Sequence, residues 1–279
     1  MKSHLTKVTM LTVTLLCLCV SCVFAQTGNA VVNWENDVLE GTGYGTPPDR
    51  AKNPGHARIL AHQAAMLDGY RRLAEAAKGI HITAESTMSD NISTGDVVSG
   101  DVEAVVKRAR VVFEDYDQDG NCTVKMEVPL YGVTAPSIAK IALKPVEREA
   151  FPTPSVNVSV NIDNTTITQS LNYTGLIVDC SGLGLNLVMS PVIKNADKQP
   201  IYGYKNLDYD KVIANGMASY ANGLNGKVIR AGSNPLVVKA ISVENHNSYP
   251  IISTEDANRI LVANQTTHFL DNCSVVFVR

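Results

Sequence analysis

The sequence predicts an α+β protein, in which an N-terminal helix packs on an antiparallel sheet and a second, mixed α/β module follows. Two observations predict this class. One long helical pattern precedes valine-rich segments separated by an Asp-Gly pair, and the second half of the chain mixes short strand patterns with short helix patterns. The chain shows no repeat of fixed period, so a solenoid is not expected.

The first 25 residues have the pattern of a bacterial or secretory export signal. Lys2 and Lys7 give a basic start, an apolar run follows at residues 8–20, and Val23 and Ala25 occupy the two positions that a signal peptidase reads. The run is too short for a comfortable membrane span. The sequence therefore predicts cleavage after Ala25.

Lipidation is an alternative to simple cleavage. Cys22 follows Ser21 and could be acylated after processing, although Cys19 stands where a lipobox would have leucine. Both alternatives place the protein outside the cytoplasm.

Charge and cysteine content narrow the classes of partner and site. The formal net charge of the chain is −3 and no basic run occurs, so nucleic acid is not an expected partner. Beyond the signal, Cys122, Cys180 and Cys273 remain. Three widely spaced cysteines suit neither a disulfide scaffold nor a zinc site. They are expected to be buried small residues, with one optional disulfide.

A long helix is the clearest local pattern. Residues 26–52 are polar and glycine-rich, and an irregular segment is expected there. Asn53 is a good N-cap, Pro54 suits the first helical position, and Gly79 favours a stop after Lys78. Apolar residues recur between these limits at spacings of three and four: Ala57, Leu60, Ala64, Leu67, Tyr70, Leu73 and Ala77.

The stretch from Asp115 to Gly120, DYDQDG, resembles the first half of a calcium-binding loop. Such a loop needs flanking helices and a glutamate at its twelfth position, where this chain has Met126. Residues 102–116 and 122–131 are valine-rich and predict strands. An Asp-Gly pair between two strands favours a hairpin turn, and calcium binding stays the less favoured alternative.

A proline-rich stretch at residues 144–155 is the best boundary between a first domain, residues 53–143, and a second, residues 156–279. Strict alternation of Val156, Val158, Val160 and Ile162 predicts a half-exposed strand. The other predicted elements of the second domain are strands at residues 176–180, 236–243 and 275–278, a helix at residues 209–220, and a helix opened by a capping box of Ser253 and Asp256.

No constellation of residues predicts catalysis. The sequence has no Gly-x-Ser-x-Gly, His-Glu-x-x-His or Cys-x-x-Cys motif. Gly182 and Gly184 lack the third glycine and the Lys-Ser/Thr of a nucleotide loop, and His56 and His62 are six residues apart on different helix faces. No catalytic, cofactor-binding or metal-binding residue is predicted, and no cofactor.

Two charges stand inside apolar strand patterns. Asp179 lies in LIVDC and Lys239 lies in PLVVKAI. A buried lone charge needs a partner, so one hypothesis is that these strands are neighbours and the two side chains pair. The alternative is that each charge points to a solvated face.

The patterns AHQAAMLDGYRRLAEAAKGIHI and VKRARVVFEDYDQDGNCTVKMEVPL carry a family resemblance. Residues 55–131 resemble the Lpp-twenty membrane-lipoprotein family and the N-terminal domain of flagellar assembly protein T. The matching positions are Ala61, Ala65, Asp68, Arg72, Leu73, Gly79, Ala109, Val111, Gly120, Val124, Val128 and Pro129. The resemblance implies an exported bacterial envelope protein with a structural or assembly role and no catalytic residues.

The expected function is therefore non-enzymatic. The chain is expected to act in the periplasm or at the outer-membrane periphery, through contacts with envelope or flagellar basal-body proteins, with peripheral membrane association as an open option. The alternative is a periplasmic ligand- or cell-wall-glycan-binding module that uses the second domain, around residues 180–186 and 202–209. The oligomeric state is left open by the sequence.

Overall fold

A computed structural model describes residues 30–95, 99–133, 137–155, 172–223 and 228–279. The fold is α+β, as the sequence predicts. Within these residues, no helix is both long enough and apolar enough to cross a bilayer.

Three earlier predictions fall outside the described residues. These are the export signal at residues 1–25, the lipidation alternative at Cys22, and the alternating strand at residues 156–162.

The first sheet is antiparallel and belongs to the N-terminal half. Its strand order is β1-β2-β4-β3. The four strands are β1 (Val31–Asn33), β2 (Val38–Gly45), β3 (Arg110–Tyr116) and β4 (Cys122–Pro129). The helices of this half are α1 (Pro54–Lys78), α2 (Met88–Ser93), α3 (Ser99–Val106) and α4 (Ile138–Ala142).

Helix α1 lies unusually close to strand β2. A Cβ atom on Gly43 would come within 2.1 Å of the carbonyl oxygen of Ala65, and one on Gly45 would come within 1.9 Å of the carbonyl oxygen of Ala61. Only glycine fits at such a distance, because backbone atoms cannot move aside as a flexible side chain can. The buried face of α1 is correspondingly made of small residues and one leucine: Ala61, Ala65, Gly69, Leu73 and Ala77.

The second half contains a parallel sheet and a mixed sheet. The parallel sheet has the order β8-β12-β5-β9, and the mixed sheet has the order β10-β11-β6-β7. Their strands are β5 (Gly175–Asp179), β6 (Ile193–Lys194), β7 (Pro200–Tyr202), β8 (Ser219–Ala221), β9 (Pro235–Lys239), β10 (Ser242–Glu244), β11 (Tyr249–Ile251) and β12 (Val275–Val278). The helices are α5 (Tyr209–Asn215) and α6 (Thr254–Thr267), with short 3-10 turns at Tyr204–Asn206 and Ile229–Ala231.

Among the described residues, the main hydrophobic core spans both halves. A second, small cluster lies within the second half and consists of Ile177, Ala221, Ala231, Val276 and Val278. The backbone amide of Gly132 donates to the carbonyl of Ile213 at 2.7 Å, and the amide of Met189 donates to the carbonyl of His81 at 3.0 Å. The boundary at residues 144–155 has no helix or strand, but it is not a free spacer. Its side chains dock on the second half.

Docking of the proline-rich stretch depends on a charge pair and a ring contact. Arg148 donates to Asp271 at 2.6 Å, and Phe151 stacks on Tyr202 with ring centroids 6.4 Å apart. Although partial burial pushes the pKa of Asp271 upward, hydrogen bonds from Asn264 and Arg148 hold it below its ordinary value. The proline-rich stretch therefore packs along the surface of the second half.

Several predicted elements are confirmed. They are helix α1, strand β5, strand β12 and helix α6, whose N-cap Ser253 accepts a hydrogen bond from the amide of Asp256 at 3.0 Å.

Four predictions about elements were wrong in part. The segment 26–52, expected to be irregular, contains β1 and β2. Residues 102–106, expected to be part of a strand, belong to α3, because Val102, Val105 and Val106 are buried at helical spacing.

The other two errors concern where elements stop. The helix expected at 209–220 ends at Asn215, because Gly216 has φ +73° and the chain turns into β8. The strand expected at 236–243 is two strands in different sheets, β9 and β10, with a break after Lys239.

Candidate functional site

Helix α1 closes one edge of the antiparallel sheet. Strand β1 pairs with residues 38–40 of β2, and among the described residues the remainder of β2 has no strand partner on that side. The carboxylate of Asp68 takes the place of a strand there and accepts a hydrogen bond from the amide of Tyr44 at 3.1 Å. The same carboxylate accepts from Arg72 at 2.7 Å and from Arg71 at 2.8 Å.

In this arrangement, which we call the Asp68 clasp, the surrounding donors favour the ionised form of the Asp68 carboxylate. Although partial burial pushes the pKa of Asp68 upward, hydrogen bonds from Arg71, Arg72 and the Tyr44 amide together hold it below its ordinary value. Arg72 also lies over the ring of Tyr44, 5.8 Å from its centroid. The clasp thus explains why the helix carries Asp and Arg four residues apart.

The opposite edge of the same sheet is strand β3, and no strand of the described residues pairs with it on its outer side. Residues 110–115 are all exposed, including three adjacent apolar side chains: Val111 at 38%, Val112 at 43% and Phe113 at 47% exposure. An edge strand presents unpaired backbone N–H and C=O groups. The pairing with β4 shifts register between Val111 and Phe113, which places a bulge at Val112.

Charged side chains frame this apolar edge. Arg110 donates to Glu127 on β4 at 2.9 Å, and the ammonium of Lys125 lies 5.5 Å from the centroid of the Phe113 ring. Glu114 and Asp115 follow the apolar residues. Along β3, the side chains therefore change from basic through apolar to acidic.

A cleft lies where the two halves meet. The turn between β1 and β2 touches the carboxyl ends of β8 and β12: Trp34 packs edge-on against Tyr220 with ring centroids 5.6 Å apart, and Asn222 donates to Glu35 at 3.0 Å. The cleft has a volume of about 290 Å³ and is lined by Val31, Val32, Asn33, Trp34, Glu35, Glu40, Leu187, Tyr220, Asn222 and Arg279. Ligands of α/β sheets bind at the carboxyl ends of the strands, which is the position of this cleft.

Several polar groups of the cleft hold one another. Asn33 donates to Glu40 at 2.6 Å, and Arg279 donates to the side-chain oxygen of Asn222 at 3.1 Å. These bonds fix the shape of the cleft, whose apolar walls include Trp34 and Leu187.

Arg230, which no sequence pattern singled out, holds the junction together. Its guanidinium donates to the hydroxyl of Ser219 at 2.7 Å and to the backbone carbonyls of Asn215, Gly216 and Cys273. It also lies 3.8 Å from the carboxylate of Asp37, in the turn between β1 and β2. One side chain thus connects the end of α5, the approach to β12 and the first hairpin.

The DYDQDG stretch forms the turn of the β3–β4 hairpin, as predicted. Gly120 has φ +80°, and Asp117 accepts hydrogen bonds from the amides of Asp119 and Asn121 and from the Asn121 side chain. The bond from the Asn121 side chain is the chief reason that the pKa of Asp117 is lowered. Among the described residues, no three His, Cys, Asp or Glu side chains are grouped as a metal site would require.

Asp179 and Lys239 lie on neighbouring strands, as the pairing hypothesis requires. They are register partners in the parallel pair β5–β9. Asp179 is half-buried and accepts a hydrogen bond from the amide of Ser181 at 3.0 Å, and Lys239 is exposed. Ser181 is the chief reason that the pKa of Asp179 is lowered, with a smaller contribution from Lys239. The pair is therefore a solvated neighbour contact.

The three cysteines are buried and unbridged. Burial raises the pKa of each thiol, to about 12 for Cys180. A thiol with a raised pKa is a poor nucleophile, because the thiolate is the reactive form. Gly182 and Gly184 have positive φ in the loop after β5, as the loop prediction requires.

The comparison with known proteins concerns the second half alone. Residues 175–279 match the family model described as Treponema pallidum Tp0624, second domain. The match begins at the first residue of β5 and includes both sheets of the second half, and it leaves out α1 and the antiparallel sheet. Among curated proteins, none matches the chain.

Proposed function

We propose that this protein is an exported, non-enzymatic factor of the bacterial cell envelope, with a structural or assembly role that it performs through protein contacts at strand β3. The single observation that carries the proposal is the outer edge of β3, where three exposed apolar side chains adjoin backbone groups that no described strand pairs with. Strand addition at such an edge uses main-chain hydrogen bonds for affinity and side-chain pockets for specificity.

Two further observations support the setting in the envelope. The first 25 residues have the pattern of an export signal, and residues 55–131 resemble the Lpp-twenty family and flagellar assembly protein T. Asp68 and Arg72, two positions of that resemblance, form the clasp that closes the other edge of the sheet. Envelope or basal-body proteins are accordingly the proposed partners, at the periplasm or the outer-membrane periphery.

A photo-reactive amino acid placed in living cells tests this function. At Val112 it would sit on the open edge, and at Val237, which is 50% exposed on the edge strand β9, it serves as a matched control. Mass spectrometry is expected to find envelope or basal-body proteins linked to position 112 and not to position 237.

A functional readout accompanies the cross-linking. A deletion strain is expected to show an envelope or motility defect, which the wild-type gene restores and Phe113→Lys does not. Normal envelope integrity and motility in the deletion strain, together with no link at position 112, would remove the basis of the proposal.

A second candidate function is ligand binding, favoured by the position of the junction cleft at the carboxyl ends of the parallel strands. The loop expected to take part, at residues 180–186, leads directly into Leu187 of the cleft wall. Tyr202 does not line this cleft, because it is buried and its hydroxyl donates to the carbonyl of Met217. A soluble cell-wall glycan fragment is the ligand class to test first.

The cleft contains the one tryptophan of the chain, Trp34, which makes the test direct. Titration with muropeptides should change its fluorescence at concentrations up to about 1 mM, the weak end of specific binding. Asn222→Ala should weaken the response. Unchanged fluorescence and no heat of binding in calorimetry would eliminate this function.

A further inference from the structure

We propose that strand β3 pairs antiparallel with β3 of a second copy of this chain, about a two-fold axis at Val112 or between Val112 and Phe113. The proposal rests on the contact function proposed for β3 and identifies one partner of that edge as the protein itself. It joins two antiparallel sheets into one continuous sheet.

The order of charges along β3 selects this partner and this direction. In an antiparallel pair with its axis at Val112, Arg110 lies opposite Glu114 of the second copy. With the axis between Val112 and Phe113, Arg110 lies opposite Asp115. Opposite charges in cross-strand pairs stabilise a sheet, whereas a parallel, in-register pair would place like charges side by side.

The apolar residues meet in the same arrangement. The axis at Val112 places Val111 opposite Phe113 of the second copy, and the other axis places Val112 opposite Phe113. Each of these side chains is between 38% and 47% exposed in the single chain, so pairing removes apolar surface from water on both copies. A two-fold axis places the same patch of each copy against that of the other, so both copies bury the same residues.

Contacts among the described residues leave the edge available. Arg110 is 77% exposed, so its bond to Glu127 is a surface ion pair that contributes little, and the guanidinium has further N–H groups to donate. The bulge at Val112 shortens the regular ladder. A short ladder buries a small interface, so the dimer is expected to be weak, with a dissociation constant on the order of 10 µM to 1 mM.

The first test is association of the purified full chain. Sedimentation velocity between about 1 µM and 1 mM should show a monomer–dimer equilibrium in this range. Val112→Cys adds an exposed thiol, whereas Cys122, Cys180 and Cys273 are buried. Mild oxidation should give disulfide-linked dimers of Val112→Cys, and none of Val237→Cys, the edge-strand control.

Charge exchange provides the decisive measurement. Arg110→Glu should weaken the dimer at least about tenfold, because it places acidic residues opposite each other on both sides of the axis. The pair Glu114→Arg with Asp115→Arg should weaken it similarly. The triple variant that combines all three substitutions should regain most of the affinity. A triple variant as weak as its parents would overturn self-pairing.

The two proposals fail separately. A chain that stays monomeric at about 1 mM, with no dimer of Val112→Cys, overturns self-pairing whatever the cell experiment shows. The contact function of β3 stands or falls on the photo-cross-links to envelope proteins and on the complementation by Phe113→Lys.

Discussion

The antiparallel and parallel sheets of this protein both have four strands, but they differ in what they leave uncovered. All four residues of β12 and the first four of β5 are buried, as expected for parallel strands covered on both faces. In the antiparallel sheet, β4 alternates between buried and more exposed residues and β3 is exposed along nearly its whole length. The two central strands of the parallel sheet are core, and the antiparallel sheet offers a surface for contact.

The two sheets also differ in how closely their neighbours approach. Helix α1 touches the backbone of β2 through glycine and alanine, whereas the interior of the parallel sheet packs through large side chains such as Leu176 and Phe277, apart from one close backbone approach at Gly175. A backbone contact tolerates no added atom, while a side-chain contact can repack. Substitutions of equal size should therefore change the free energy of unfolding by different amounts at these two kinds of contact.

The largest difference is expected for alanine in place of glycine. Gly43→Ala should lower the free energy of unfolding by at least about 3 kcal/mol, because the new Cβ would overlap the backbone of α1. Gly182→Ala, at φ +78° with no atom within 4 Å of the new Cβ, should cost about 1–2 kcal/mol for its backbone conformation alone. Urea denaturation measures both. Equal costs would show that α1 does not lie this close to β2.

The junction between the halves should be nearly as sensitive. Arg230→Met removes the donor shared by Ser219 and three backbone carbonyls, and should cost about 2–3 kcal/mol because several part-buried acceptors lose their partner at once. Arg230→Lys keeps the charge but can make fewer of the hydrogen bonds, so its loss of folding stability should lie between those of the wild type and Arg230→Met. Thermal unfolding should remain a single transition in the wild type. Two transitions in the wild type would contradict the shared core.

The Asp68 clasp should have a smaller effect that depends on pH. Asp68→Ala should cost about 1.5–2 kcal/mol at pH 7, because the charge-assisted bonds to Arg72 and the Tyr44 amide are lost. The folded-state pKa of Asp68 lies below its unfolded value, so the carboxylate contributes stability above the unfolded pKa of about 4.

That contribution is lost as the pH falls through the lowered folded-state pKa. The difference between wild type and Asp68→Ala, measured by urea denaturation from pH 7 to pH 2, should therefore shrink below about pH 4. Arg71→Ala, which removes a donor from the same carboxylate at an exposed position, serves as the control and should cost well under half as much. A difference that stays constant down to pH 2 would refute the charged role of Asp68.

The smallest effect belongs to Asp179 and Lys239 in the second half. Asp179→Asn, Lys239→Met and the double variant should give a coupling free energy below about 0.5 kcal/mol, as for other solvated pairs. Urea denaturation of the four proteins completes the cycle. A coupling above about 1.5 kcal/mol would instead place the pair in a buried environment.

The sequence predicted the existence of α1 but not the face that it buries. Leu67 belongs to the apolar stripe read from the sequence, yet it is 69% exposed. The buried face follows Ala61, Ala65 and Gly69 at a spacing of four because the opposing strand supplies glycines. The alternating glycines of GTGYG pack against the small residues of the helix. The two patterns are far apart in the sequence, so only the structure shows that they contact each other.

The candidate site was the least predictable part. The open edge of β3 depends on strand order, which local patterns do not encode, and the expected strand at 102–116 merged a helix with that edge. Arg230 gathers acceptors from residues 215 to 273, so no short motif could reveal it. By contrast, the Asp-Gly turn and the Ser253 cap are local, and for that reason they could be read directly.

The closed edge of the antiparallel sheet sets a limit on growth. Asp68 accepts the hydrogen bond of the Tyr44 amide, and β1, the strand on that side, has three residues in the described part of the chain. Little backbone is therefore left there to pair with a strand of another chain. Among its described residues, the antiparallel sheet that accepts a strand at β3 offers no equivalent edge for the next strand. Exposed sheet edges commonly seed fibrils, but at this sheet strand addition would stop after a single event, so the apolar edge of β3 does not by itself lead to open-ended assembly.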